Sequence, residues 1–165
     1  MAEPAAPLKT PTDIKSNAAK SVAEALNGIL ADSFALYFKT KNFHWHVSGP
    51  HFRDYHLMLD EQAEQIFLTT DDIAERVRKT GNTTLRSVGD IARHQTIKDN
   101  DESFVPADRM LAELREDNLK LVESLREAKD IVDEAKDNAT SGILDEWTDQ
   151  AEERAWFLFE ASRKG

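Results

Sequence analysis

HFRDYHLMLDEQAEQIFLTTDDIAERVRKT, residues 51–80, contains neither proline nor glycine and places apolar side chains at Phe52, Tyr55, Leu59, Ala63, Ile66, Phe67, Ile73, Ala74 and Val77. Intervals of three and four put these positions on one stripe of an α-helix. Ser48-Gly49-Pro50 before the stretch and Gly81-Asn82 after it are stop signals, so the spacing predicts one unbroken helix from His51 to Thr80.

Working outward, Val22, Leu26, Ile29, Leu30, Phe34, Tyr37 and Phe38 share a second such stripe, which predicts a helix capped by Thr12 or Asp13 and ending near Val47. A third helix is expected from around Pro106, carrying Met110, Leu111, Leu114, Leu121, Leu125, Ile131 and Val132 and broken at Asp137-Asn138. A last one should span about residues 140 to 162. Between the second and third helices, Thr83 to Phe104 is mixed, and Ser87-Val88-Gly89-Asp90-Ile91-Ala92-Arg93-His94 predicts a short helix inside this long connection. Sustained apolar–polar alternation is absent, so no strand is expected. The expected class is all-α: a ferritin-like four-helix bundle with a short extra helix in the long connection between helices 2 and 3, that connection being a crossover. Residues 1–11, with Pro4, Pro7 and Pro11, are expected to be a flexible N-terminal arm, and 12–165 the bundle domain.

Composition narrows the chemistry. A chain of 165 residues that is 40% hydrophobic and 32% charged is sized for one globular domain with a core. Its 21 Lys and Arg against 31 Asp and Glu give a formal net charge of −10, which repels phosphate backbones and favours cations as partners. No cysteine is present, which leaves His and carboxylates as the strong side-chain metal ligands. The N-terminus lacks the cationic start and apolar run of a secretory signal, so a cytoplasmic location is expected.

With Phe52 set at zero on a helical wheel, His56, Asp60, Asp71 and Glu75 fall at roughly 40°, 80°, 100° and 140°, on one flank beside the apolar stripe. The commonplace account of such a flank is a solvated polar edge. The spacing argues for more. His56 and Asp60 are i,i+4 neighbours, as are Asp71 and Glu75, so each pair can close on one cation. The two pairs lie about 16 Å or more apart along the axis and cannot meet on one helix. They are, however, equidistant from the point between residues 65 and 66. A second copy of the helix, antiparallel and crossing there, would set each His56/Asp60 pair against the other's Asp71/Glu75 and create two identical intersubunit sites. A bundle-interior di-iron centre is not expected, since no Glu is followed three residues later by His. The mixed N and O donor set suits Fe, Mn or Zn. His44, His46 and His51 lie within eight residues, and for His46 and His51 a helix-terminus imidazole bonded to a carbonyl is the favoured account.

The run Lys41-Asn42-Phe43-His44-Trp45-His46-Val47-Ser48-Gly49-Pro50-His51-Phe52, continued by His56-Leu57-Met58-Leu59-Asp60 and Asp71-Asp72-Ile73-Ala74-Glu75-Arg76, closely resembles the Dps family, the ferritin-like DNA-binding proteins from starved cells. The likeness covers about residues 15 to 162 and is strongest from 36 to 81, with weaker support around Ala155-Trp156-Phe157-Leu158. It implies a hollow dodecameric homo-oligomer that oxidises Fe(II), preferentially with hydrogen peroxide, stores ferric mineral and protects against oxidative stress. It also implies ferroxidase ligands, at once metal-binding and catalytic, at His44, His56 and Asp60 of one subunit and Asp71 and Glu75 of its twofold mate. His44 enters this set only through the resemblance, as does a role for Trp45 in intercepting stray oxidising equivalents; a buried aromatic anchor of the interface is the equal alternative for Trp45.

Three departures accompany the likeness. His46 stands where many members have Asn, and it is left outside the ligand set. Gly142 stands where many carry an acid in a region that can line threefold pores; Asp145, Glu146 and Asp149 are nearby acids, though a solvated face accounts for them equally. Residues 1–17 balance Lys9 and Lys15 with Glu3 and Asp13, where DNA-binding members often have basic tails, so DNA is the disfavoured partner. The competing expectations are a DNA-binding, nucleoid-protecting shell in which iron chemistry is secondary, and a structural bundle whose polar flank binds no metal.

Overall fold

The computed structural model describes residues 5–164, and among them it contains helices and no strand. After a 3-10 turn at Ala6–Leu8 come α1 (Ser16–His46), α2 (Phe52–Lys79), the short α3 (Val88–His94), α4 (Ala107–Glu134) and α5 (Asn138–Ser162). The all-α bundle with a short helix in the second-to-third connection is therefore what the chain forms. No helix among the described residues is long and apolar enough to cross a membrane.

α1 and α2 form one antiparallel hairpin and α4 and α5 the other, with α1 packed on α4. Leu26, Leu30, Leu36 and Phe43 of α1, Leu59 and Ile66 of α2, Met110, Leu114 and Leu125 of α4, and Leu144 and Leu158 of α5 are all at most 2% exposed. Each such side chain contributes roughly 1.5–3 kcal/mol by leaving water. The long connection is a crossover held by polar side chains of α1. Asn27 donates to Thr83 O at 3.2 Å, Lys39 to Lys98 O at 3.0 Å and Asn42 to Asn100 O at 3.1 Å. Buried Asp32 accepts from Thr96 N at 2.6 Å, Thr96 Oγ1 at 2.7 Å and Ile97 N at 2.9 Å. The rising order of these partners carries the chain from one end of α1 to the other, so α4 starts at the same end of the bundle as α2.

Several local expectations are corrected. Neither Thr12 nor Asp13 caps α1, which begins after Lys15 without a side-chain cap; the Thr12 hydroxyl instead accepts from Ile14 N at 3.2 Å and turns the chain locally. Within the stripes, Phe38, Phe52 and Phe67 are 63%, 46% and 48% exposed rather than in the core. Periodicity finds an apolar face but cannot tell which part of it meets this chain's own core. Of the expected arm, residues 1–4 lie outside the described residues. Further along, Arg78 Nη1 donates to Leu8 O at 2.8 Å, and Thr10 O approaches Gly81, whose φ of +96° and contact (an added Cβ would sit 3.0 Å from that oxygen) both call for glycine.

Candidate metal centre

The α1–α2 turn, with Gly49 at φ +124°, folds the last turn of α1 back on the first turns of α2. His44 and His56 meet there as a stacked pair, ring centroids 3.8 Å apart and 18° from parallel. Each ring bonds the other's backbone: His44 Nδ1 lies 2.6 Å from His56 O, and His56 Nδ1 lies 2.8 Å from His44 O. A carbonyl can only accept, so both Nδ1 atoms carry protons and, in the neutral rings, both Nε2 atoms keep a free lone pair, the state a metal ligand needs. Phe52 stacks on the outer face of His56 at 5.0 Å.

Asp60, one turn beyond His56, brings Oδ1 to 3.8 Å from His44 Nε2. The same oxygen accepts from Lys41 Nζ at 2.6 Å. That hydrogen bond holds the Asp60 carboxyl below the usual carboxylate range, against a smaller opposing effect of burial. Lys41 is the residue that sequence reading missed, although its position three residues before His44 places it on the same face of α1.

His44, His56 and Asp60 are thus brought together. Asp71 and Glu75 are not: they are exposed, with Glu75 3.8 Å from an equally exposed Lys79. About 16 Å of helical rise separates Asp60 from Asp71, and about 28 Å separates His56 from Glu75. Among the described residues no three His, Asp or Glu come close enough to close around one cation. Between the two pairs the flank exposes Phe67 (48%) and Leu68 (67%), at the centre of the symmetric ligand pattern.

The other singled-out residues stay apart from this cluster. His46 is exposed, with Nδ1 2.7 Å from Asn42 O and 2.8 Å from Asn42 Oδ1. The His51 ring lies 5.6 Å from that of Tyr55. Trp45 is 54% exposed and packs edge-on against Phe38 at 5.9 Å. An added Cβ at Gly142 would meet nothing within 4 Å, and nearby Asp145 is paired with Lys129 at 2.9 Å.

A family model described as a ferritin-like domain matches residues 23–164. The chain is 36% identical over 140 residues to a low temperature-induced protein of Nostoc sp., covering 84% of this chain and 78% of that one. It is 32% identical over 145 residues to the DNA protection during starvation protein of Brevibacillus brevis, covering 88% of this chain and 97% of that one. Among solved structures, a Dps protein from Bacillus brevis superposes with a TM-score of 0.86 at 31% identity, covering 90% of this chain and 99% of that one.

Proposed function

The chain belongs to the Dps family of ferritin-like proteins, and from that premise we propose that it is a ferroxidase and iron-storage protein, acting in the cytoplasm as a closed dodecameric shell whose catalytic sites form between twofold-related subunits. Ferrous iron is substrate and cargo, hydrogen peroxide the preferred oxidant. The observation that carries this reading is that one rigid helix, α2, bears two donor pairs, His56/Asp60 and Asp71/Glu75, too far apart to share an ion and symmetric about a point between residues 65 and 66, with exposed Phe67 and Leu68 between the pairs. A second α2 laid antiparallel on that flank completes both halves at once and covers the apolar side chains between them.

In such a site, Nε2 of His44 and His56 and the Asp60 carboxylate come from one subunit, and Asp71 and Glu75 from the mate. Three carboxylates favour the trivalent over the divalent ion, so they aid the loss of an electron from each ferrous ion. Two ferrous ions together reduce one peroxide; its O–O bond breaks, and the oxygens leave as water or as oxide in the ferric product. The reciprocal carbonyl bonds keep both imidazoles in the ligating tautomer before metal arrives. Trp45, exposed and next to His44 in sequence, would take up an oxidising equivalent that escapes this reaction.

Anaerobic titration with Fe(II), followed by peroxide, tests the reading. Saturable binding at one site per subunit and rapid oxidation on adding peroxide are expected; oxidation no faster than in protein-free buffer refutes it. The names of the starvation-protection relatives favour a second reading, a DNA-protecting shell with secondary iron chemistry. The balanced charge of residues 1–17 weighs against it.

A further inference from the structure

His56 turns to α1, but Asp60, Asp71 and Glu75 stand exposed on α2, so the direction of the acidic half also depends on what holds α2 on its other side. α5 does so through a ladder of polar contacts. Tyr55 Oη donates to Ala161 O at 3.0 Å, Gln62 Nε2 to Arg154 O at 3.4 Å, and Arg76 Nε to Thr140 Oγ1 at 2.9 Å. Each step up α2 is matched by an equal step down α5, from 55 with 161 to 62 with 154 to 76 with 140, as two antiparallel helices locked in one register require. The last rung is the strongest. Arg76 Nη2 also donates to Asp137 Oδ1 at 2.9 Å, and the Arg76 and Asp137 side chains are only 14% and 4% exposed. Asp137 in turn caps α5, accepting from Thr140 N at 3.2 Å and from Thr140 Oγ1 at 2.5 Å. Lys136, at φ +58°, makes the tight turn that delivers Asp137 to this position.

Arg76 follows Glu75 directly and points to a different side of α2, at roughly 240° on the wheel where Asp71 and Glu75 stand near 100° and 140°. We propose that Arg76 is a positioning residue for the acidic half of the metal centre: its grip on Asp137 and Thr140 sets the rotation of the α2 tip, and with it where Asp71 and Glu75 are presented to the neighbouring subunit. This rests on the intersubunit reading above. The sign of the effect separates positioning from charge. A cation next to Glu75 repels a metal ion, so if Arg76 acted only through its charge, removing it would tighten metal binding; removing a positioning residue weakens it.

The test is calorimetric titration of the assembled full-length protein with Zn(II), a redox-inert divalent probe, alongside size measurement. Arg76→Met should bind Zn(II) about tenfold more weakly than wild type while keeping its assembled size, and Arg76→Lys should recover part of the loss, because an ammonium can retain one of the two contacts. Binding by assembled Arg76→Met as tight as wild type or tighter overturns the proposal. If Arg76→Met does not assemble, Thr140→Val, which removes the Arg76 Nε contact and the hydroxyl's own bond to Asp137, decides: a two- to tenfold weakening supports it, and wild-type affinity overturns it. An Asp71→Asn control that binds like wild type shows instead that the metal assignment has failed, and the positioning role falls with it.

Discussion

Complementation between two inactive variants tests the intersubunit site most directly. About 28 Å of helical rise separates His56 from Glu75 on α2, far beyond the reach of two side chains sharing one ion, so a complete site needs one residue from each of two chains. His56→Ala and Glu75→Ala each remove one donor from every site. Loss of an outer partner of a ligand alone costs roughly 10–100-fold, so each pure variant should fall at least tenfold in initial Fe(II) oxidation rate with peroxide. Co-expressed in equal amounts with different affinity tags and paired at random, half of the twofold pairs contain one chain of each kind. In such a pair one site lacks both residues and the other lacks neither, so mixed shells should regain about a quarter of the wild-type rate. The assay is stopped-flow absorbance of ferric product, normalised to the chain ratio measured by mass spectrometry. No recovery in shells of verified mixed composition, or full rate in either pure variant, refutes the shared site.

Lys41→Met should tighten Zn(II) binding about 40-fold by calorimetry: a metal on Asp60 would lie within about 5 Å of the ammonium, a repulsion near 1.7 kcal/mol in water, and the partly exposed Lys41–Asp60 pair adds roughly 0.5 kcal/mol. Unchanged or weaker binding would show that Lys41 does not compete for that carboxylate. Burial pushes the Asp117 carboxyl above its ordinary value despite its contact with Lys39 at 2.8 Å. A raised folded value means wild type loses stability relative to Asp117→Asn as pH rises from below 3.8, by about 1.4 kcal/mol per unit of the raise. Melting curves of the two proteins from pH 3 to pH 8 check this, and a constant difference contradicts it. In a gel-shift assay at physiological salt, duplex DNA should show little or no retardation, and strong retardation would favour the nucleoid-binding reading.

Sequence alone determined the rods and most of their ends, the start of α1 excepted. Proline- and glycine-free runs with apolar intervals of three and four can only bury their stripes as helices, and Ser48-Gly49-Pro50, Gly81-Asn82 and Asp137-Asn138 mark where such runs stop. It also fixed the separation of His56 and Asp60 from Asp71 and Glu75, because distance along a helix follows from residue number. Tertiary structure decided what depends on neighbours distant in the chain. The α1–α2 turn joined His44 to His56 through reciprocal carbonyl bonds, a pairing that no periodicity encodes. Folding also put Lys41 on Asp60 and, far along the chain, Asp137 behind Arg76. Phe38, Phe52 and Phe67 read as core because a hydrophobic stripe records that a face avoids water, while only packing settles how much of it is covered within the chain itself.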